Sequence, residues 1–133
     1  MLPISLDTVR LFLHVLAATV SVGGQLTLAG LVPALRRLSP DAPRVVARQF
    51  SAIAWCAYGV LIATGIWNVA AVHATLRGRY RTTLLVKIAI VALSGVSAAV
   101  HGASRSPRGR ALWGSLTALS ALAALFVGVV LHG

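Results

Sequence analysis

The chain has 133 residues, of which 58% are hydrophobic and 11% are charged, and its formal net charge is +10. An ordinary soluble domain has about 25% charged residues, so this composition argues against a soluble enzyme and indicates a membrane protein. The arginines cluster near the ends of apolar stretches, where we expect them to face lipid headgroups rather than nucleic acid.

Four apolar stretches are long enough to cross the core of a bilayer, which takes about 20 residues of helix. We expect helices at about residues 8–35, 43–73, 82–103 and 110–132. The connections between them are short, and residues 39–43, Ser-Pro-Asp-Ala-Pro, are expected to break the first helix and to cap the second. The sequence therefore predicts a single all-α transmembrane domain, residues 1–133, folded as an antiparallel four-helix bundle in contact with the lipid bilayer.

The first predicted helix carries a stripe of small and polar residues. These residues are spaced by four, three and four positions and share one helix face: His14, Ala18, Ser21 and Gln25. Such faces on membrane helices usually turn inward. His14 is the strongest ligand candidate, because a neutral imidazole can coordinate copper or haem iron. The alternative is a hydrogen bond between helices, for example to Asn68 or to a backbone carbonyl.

Other small residues are expected to serve packing. Gly23, Gly24 and Gly30 follow no predicted strand, so they indicate close helix contacts rather than a nucleotide-binding loop. Cys56 is the only cysteine, which excludes a disulfide within the chain, and we expect it to be a packing residue.

The second predicted helix adds small or polar surface before it ends at His73. The residues concerned are Tyr58, Thr64, Gly65 and Asn68. The third contains Lys87, the only formally charged residue inside the four apolar stretches, which are residues 11–31, 50–72, 84–100 and 111–131. A charge at bilayer depth costs a few kcal/mol or more, so it usually has a partner or a task. Lys87 could pair with a carboxylate of a bound ligand or handle a proton. The alternative is that its ammonium snorkels to the headgroups.

Lys87 belongs to a second stripe of small or polar residues, which comprises Thr83, Lys87, Ser94, Ser97 and His101.

Basic residues near the helix ends predict the orientation of the chain in the membrane. The first and third connections carry seven arginines: Arg36, Arg37, Arg44, Arg48, Arg105, Arg108 and Arg110. The opposite side carries four: Arg10, Arg77, Arg79 and Arg81. This difference predicts a multi-pass cell-membrane protein with both termini on the extracytoplasmic side. On that side we expect His14, His73, His132 and Lys87.

Three segments resemble the copper-resistance protein D (CopD) family. Residues 14–24 read His-Val-Leu-Ala-Ala-Thr-Val-Ser-Val-Gly-Gly and are similar to its first helix, with Ser21 in place of the family's tryptophan. Residues 48–54 and 63–68 resemble its second helix, and residues 80–87, which end in Leu-Leu-Val-Lys, resemble its third. The resemblance implies copper binding or transfer, and the metal-ligand candidates are His14, His73 and His132.

The pattern of a histidine in the first helix and a lysine in the third has a more distant resemblance to the HemJ-type protoporphyrinogen oxidases, which are understood to bind haem b. Copper is therefore the first hypothesis and haem b the alternative. The resemblance to HemJ implies His14 as a haem ligand and Lys87 as a residue of the cofactor pocket. The aromatic and histidine residues of the HemJ pattern are missing before Lys87, where Thr82, Thr83 and Leu84 stand. We therefore assign no catalytic residue and leave open whether the chain is an enzyme. A third hypothesis is a cofactor-free partner subunit. The chain would then associate either with further copies of itself or with another membrane protein.

Overall fold

The computed structural model of the chain describes residues 4–72 and 78–132, apart from the side chains of Val72 and His132. This part of the chain forms four helices: α1 (Leu6–Leu38), α2 (Ala42–Val72), α3 (Arg79–Ala103) and α4 (Pro107–His132). The all-α prediction is confirmed for these residues. The largest boundary differences are three residues, from 35 to Leu38, from 82 to Arg79 and from 110 to Pro107.

The chain divides into two compact units, Met1–His73 and Ala74–Gly133. The first unit contains α1 and α2, and the second contains α3 and α4. Packing of all four helices as one antiparallel bundle in a single domain stays a prediction.

Local hydrogen bonds explain where the helices of the first unit begin and end. The Ser5 Oγ accepts a hydrogen bond from the Thr8 N–H at 3.2 Å and caps α1. The backbone N–H of Ser39 donates to the Leu35 carbonyl at 3.1 Å and closes the last turn. The Asp41 carbonyl then accepts from the Arg44 N–H at 3.0 Å and starts α2. The predicted break around Pro40 is thus confirmed.

The second unit uses a glycine and two serines at its helix ends. Gly78, just before α3, has φ of 57°, a conformation that a residue with a Cβ rarely adopts. The Ser104 N–H donates to the Val100 carbonyl at 2.9 Å at the end of α3. Two residues later, the Ser106 Oγ accepts from the Gly109 N–H at 3.0 Å and caps α4.

The contacts within each unit show that its two helices are antiparallel. In the first unit His14 meets Thr64, and ten residues further along α1 Gly24 meets Phe50. In the second unit, Lys87 meets Gly128 and His101 meets Gly114. A rising residue number on one helix thus meets a falling number on the other, which is the pattern of an antiparallel helix pair.

Small and hydroxyl-bearing side chains form the interior, and the large apolar ones lie outside. The buried residues are Ala17, Ser21, Val22, Ala57, Thr64, Ser94, Ser97, Thr117 and Ser120. Phe12, Ile66 and Phe126 are each more than half exposed, at 62%, 65% and 69%. All four helices are long and apolar enough to cross a membrane. Small interior residues let helix backbones approach closely, and exposed apolar side chains suit contact with lipid.

Candidate functional site

The side chain of His14 is hydrogen-bonded across the first unit to α2. Its Nδ1 lies 2.7 Å from the Thr64 Oγ1, and the contact is partly buried. The sequence predicted an inward-facing His14, and the structure confirms it. The partner is Thr64 rather than the suggested Asn68, which stands one helical turn further along α2.

The hydrogen bonds of Thr64 are compatible with one tautomer of His14. The Thr64 hydroxyl has one hydrogen, and the Val60 carbonyl at 2.7 Å and the Leu61 carbonyl at 3.2 Å can accept it. In that arrangement the same oxygen accepts a hydrogen bond from His14, and Nδ1 carries the hydrogen. The lone pair of the neutral imidazole is then on Nε2.

A glycine of α2 lies beside the ring of His14. A Cβ added to Gly65 would lie 4.0 Å from His14 Cε1, so α2 approaches the ring through a residue without a side chain. Ala17, three positions after His14 on α1, is only 5% exposed. The ring is therefore positioned against α2 by the hydrogen bond to Thr64, beside Gly65.

Arg10 precedes His14 by one helical turn, so the two side chains leave the same face of α1. The Arg10 side chain is only 12% exposed, and its Nη2 pairs with the Asp7 Oδ1 at 3.1 Å. Its Nε is buried and has no hydrogen-bond partner among the described residues. A buried N–H without a partner typically costs about 1–3 kcal/mol, so this atom calls for an acceptor.

Lys87 lies in the second unit against a glycine of α4. A Cβ on Gly128 would be 3.0 Å from Lys87 Nζ and 3.6 Å from Cε. The lysine is half-buried, and the other members of its predicted stripe are buried or half-buried too. The inward direction of that stripe is confirmed. A pocket shared by His14 and Lys87 stays a prediction.

His101 makes a similar contact near the turn between α3 and α4. Its Nδ1 donates to the Arg110 carbonyl, with 2.8 Å between the two atoms. A Cβ on Gly114 would lie 3.0 Å from His101 Cε1 and 3.1 Å from Nδ1. The absence of a side chain at Gly114 lets the imidazole reach the backbone of α4.

The remaining predicted site residues fall partly outside the described part of the chain. His73 is outside it, and of His132 the backbone alone is described, at the end of α4. The copper ligand set His14, His73 and His132 therefore stays a prediction. Among the described residues, no three His, Cys, Asp or Glu side chains are grouped so that they could hold a metal ion.

Some packing predictions are corrected by the structure. Cys56 is exposed, so its expected packing role is wrong. Of the three glycines singled out in α1, Gly24 alone is contacted, by the ring of Phe50, whereas added Cβ atoms on Gly23 and Gly30 meet nothing within 4 Å.

Sequence reasoning missed Gly114 and Gly128. Single glycines in an apolar helix are a usable signal only once the register of that helix against α3 is known.

Comparison with known proteins neither supports nor contradicts the resemblances to the CopD and HemJ families. No protein-family model matches the chain, and neither a curated protein nor a solved structure matches it.

Proposed function

We propose that the chain is an integral membrane protein that crosses the cell membrane four times as an antiparallel four-helix bundle, with both termini outside. Its four long apolar helices, with small polar residues inside and large apolar residues outside, support this. The orientation rests on the seven arginines of the first and third connections. Reporter fusions at each terminus test it, and a cytoplasmic signal at either one contradicts it.

We further propose that His14 binds a transition-metal centre through Nε2. The observation that carries this proposal is the hydrogen bond between His14 Nδ1 and Thr64 Oγ1, at 2.7 Å, with the arrangement in which Nδ1 donates. Metal-ligating histidines almost always donate their other ring N–H to an acceptor, which fixes the tautomer and the ring orientation. Thr64 supplies that acceptor because its own hydrogen is donated to the Val60 carbonyl.

Haem b fits the described residues better than copper does. Haem supplies four of its own iron ligands, so a single histidine of the chain, His14, would be enough to hold the iron. Its carboxylates need cationic donors, and Arg10 offers a buried Nε–H one helical turn away. Bound haem would supply one-electron chemistry. The residues of this chain would hold the iron and a carboxylate, and Lys87 remains a proposed pocket residue through the HemJ resemblance.

Copper is the second candidate, and the CopD resemblance favours it. This function is copper binding or transfer near the outer face. It requires His73 and His132 as additional ligands to His14. Copper(I) prefers thiolate and thioether ligands, whereas imidazole suits copper(II), so the oxidation state of a copper-loaded protein is part of this hypothesis.

Purified protein distinguishes the candidates. A Soret band that is lost in His14→Ala supports haem, whereas copper at one ion per chain without a Soret band supports the copper site. Thr64→Val should weaken cofactor binding about 10- to 100-fold, the usual effect of removing the partner of a ligating histidine. Thr19→Val is the matched control, since its hydroxyl bonds to the Val15 carbonyl of its own helix. If neither cofactor binds after reconstitution, both proposals fail and the cofactor-free subunit is favoured.

A further inference from the structure

The two members of the ion pair between Asp7 and Arg10 differ in how far they are buried. The Asp7 Oδ1 lies 3.1 Å from the Arg10 Nη2, and the two residues are three positions apart on α1. The Asp7 side chain is 78% exposed, whereas the Arg10 side chain is only 12% exposed. The guanidinium is therefore held in the interior, one helical turn before His14, and the carboxylate lies at the surface, where it is free to turn away.

The ion pair uses half of one donor fork of Arg10. In a guanidinium, the Nε–H and one Nη2–H are parallel, and together they can hold both oxygens of one carboxylate. Asp7 engages Nη2, while Nε is buried and has no hydrogen-bond partner among the residues that the structure describes. A carboxylate that accepted from both N–H groups would satisfy this fork better than Asp7 does.

The chain itself has no further acidic side chain for this fork. Its two acidic residues are Asp7 and Asp41, and Asp41 precedes α2 at the far end of the α1–α2 pair from Arg10. A second carboxylate at Arg10 would therefore belong to a ligand.

We propose that Asp7 is a displaceable stand-in for a carboxylate of the bound cofactor. Arg10 would hold the cofactor carboxylate through both Nε and Nη2, while Asp7 turns out to the surface. This inference rests on the haem proposal above and adds to it a residue of the chain that competes with the cofactor. Because Asp7 is already exposed, its carboxylate is readily hydrated when it leaves Arg10, so the displacement costs little.

The test compares two cofactors that differ only in their carboxylates. The full chain in neutral detergent is titrated with haem b and with its dimethyl ester, and the Soret band gives the two dissociation constants. Wild type should bind the free acid about tenfold more tightly than the ester, or better, because a charge-assisted hydrogen bond is lost with the carboxylate. The ratio of the two constants cancels any effect of a substitution on helix stability or on ligation of the iron.

Three variants locate the origin of that preference. Asp7→Asn should increase it about fivefold, the upper range for an exposed ion pair, because Arg10 loses its internal competitor. Asp41→Asn is the matched control, since it removes the same charge next to α2 and should leave the preference unchanged. Arg10→Lys keeps the positive charge but has no fork, and it should reduce the preference to less than about threefold.

The outcomes separate this inference from the haem proposal. A wild-type protein without a Soret band contradicts the haem proposal, and the inference falls with it. A Soret band with equal affinities for the acid and the ester contradicts the role of Arg10 but not that of His14. A preference that Asp7→Asn leaves unchanged, or that Asp41→Asn raises equally, would show that Asp7 does not compete for the fork and would overturn the displacement.

Discussion

The Nζ of Lys87 lies 3.0 Å from the position that a Cβ on Gly128 would occupy. The glycine therefore provides the space that the ammonium fills. The missing side chain of Gly128 thus accommodates the end of Lys87, and this holds for any partner of the ammonium charge.

This relationship predicts a graded response at position 128. Gly128→Ala should change the free energy of unfolding by less than about 1 kcal/mol, because the flexible end of Lys87 can shift. Gly128→Leu should cost about 1–3 kcal/mol, since the larger side chain must displace the whole lysine stem. Unfolding of the purified protein in mixed micelles, followed by helical circular dichroism, measures both. In a Lys87→Ala background the cost of the leucine should shrink, and an unchanged cost would show that the lysine is not what it displaces.

A second prediction concerns the close approach of α1 to α2 at Gly24. An added Cβ would collide with the ring of Phe50, and a packed ring has little freedom to move. Gly24→Ala should therefore lower the free energy of unfolding by about 1–3 kcal/mol. Gly23→Ala is the matched control. Its added methyl meets nothing within 4 Å, so it should be neutral or stabilising by about 0.5–1 kcal/mol through helix propensity. Equal effects of the two changes would contradict the contact.

A third prediction concerns the contact of His101 with α4. Gly114→Ala places a methyl 3.0 Å from the ring and should break the bond from Nδ1 to the Arg110 carbonyl, at a cost of about 1 kcal/mol. Nitrogen-15 NMR of the imidazole reports that bond directly. Gly102→Ala is the control, since nothing lies within 4 Å of its added Cβ. In a His101→Ala background, Gly114→Ala should lose its cost, and a cost that persists would point to a clash with another group.

A fourth prediction separates the hydroxyl of Thr64 from its shape. Thr64→Val leaves the His14 Nδ1–H without its acceptor and should cost about 1–3 kcal/mol in unfolding free energy. Thr64→Ser keeps a hydroxyl and should recover most of that loss. Unfolding in mixed micelles, followed by circular dichroism as for position 128, measures both variants. A serine variant as unstable as the valine variant would show that the methyl group, and not the hydrogen bond, is what matters at this position.

Much of the fold could be predicted because it depends on length and hydropathy. Four apolar stretches, the break at Pro40 and the inward stripes of His14 and Ser97 follow from the spacing of residue types along single helices. The partners of those residues could not be predicted in the same way. Thr64 and Gly128 are identified only by the register between two helices, which is set by side-chain packing and not by a pattern within either helix.

The candidate site was predictable to the same extent. The imidazole of His14 stood out because it is a polar group in an apolar helix. Arg10 is one of the arginines that predict the orientation, but its Nε is buried in the interior. A boundary arginine and a buried one look alike in a sequence, since both stand just where the apolar residues begin.

The glycines of α4 have a consequence for the sliding of α3 and α4 along each other. His101 lies 14 residues after Lys87, and Gly114 lies 14 residues before Gly128. Fourteen residues are two heptads, so both long side chains meet their glycines on one seam of the helix pair. A shift of α4 by a single turn would carry both glycines away from their side chains together. The pair of α3 and α4 therefore has one favoured alignment. Any other position of α4 along α3 loses the contact of Lys87 with Gly128 and that of His101 with Gly114 at the same time.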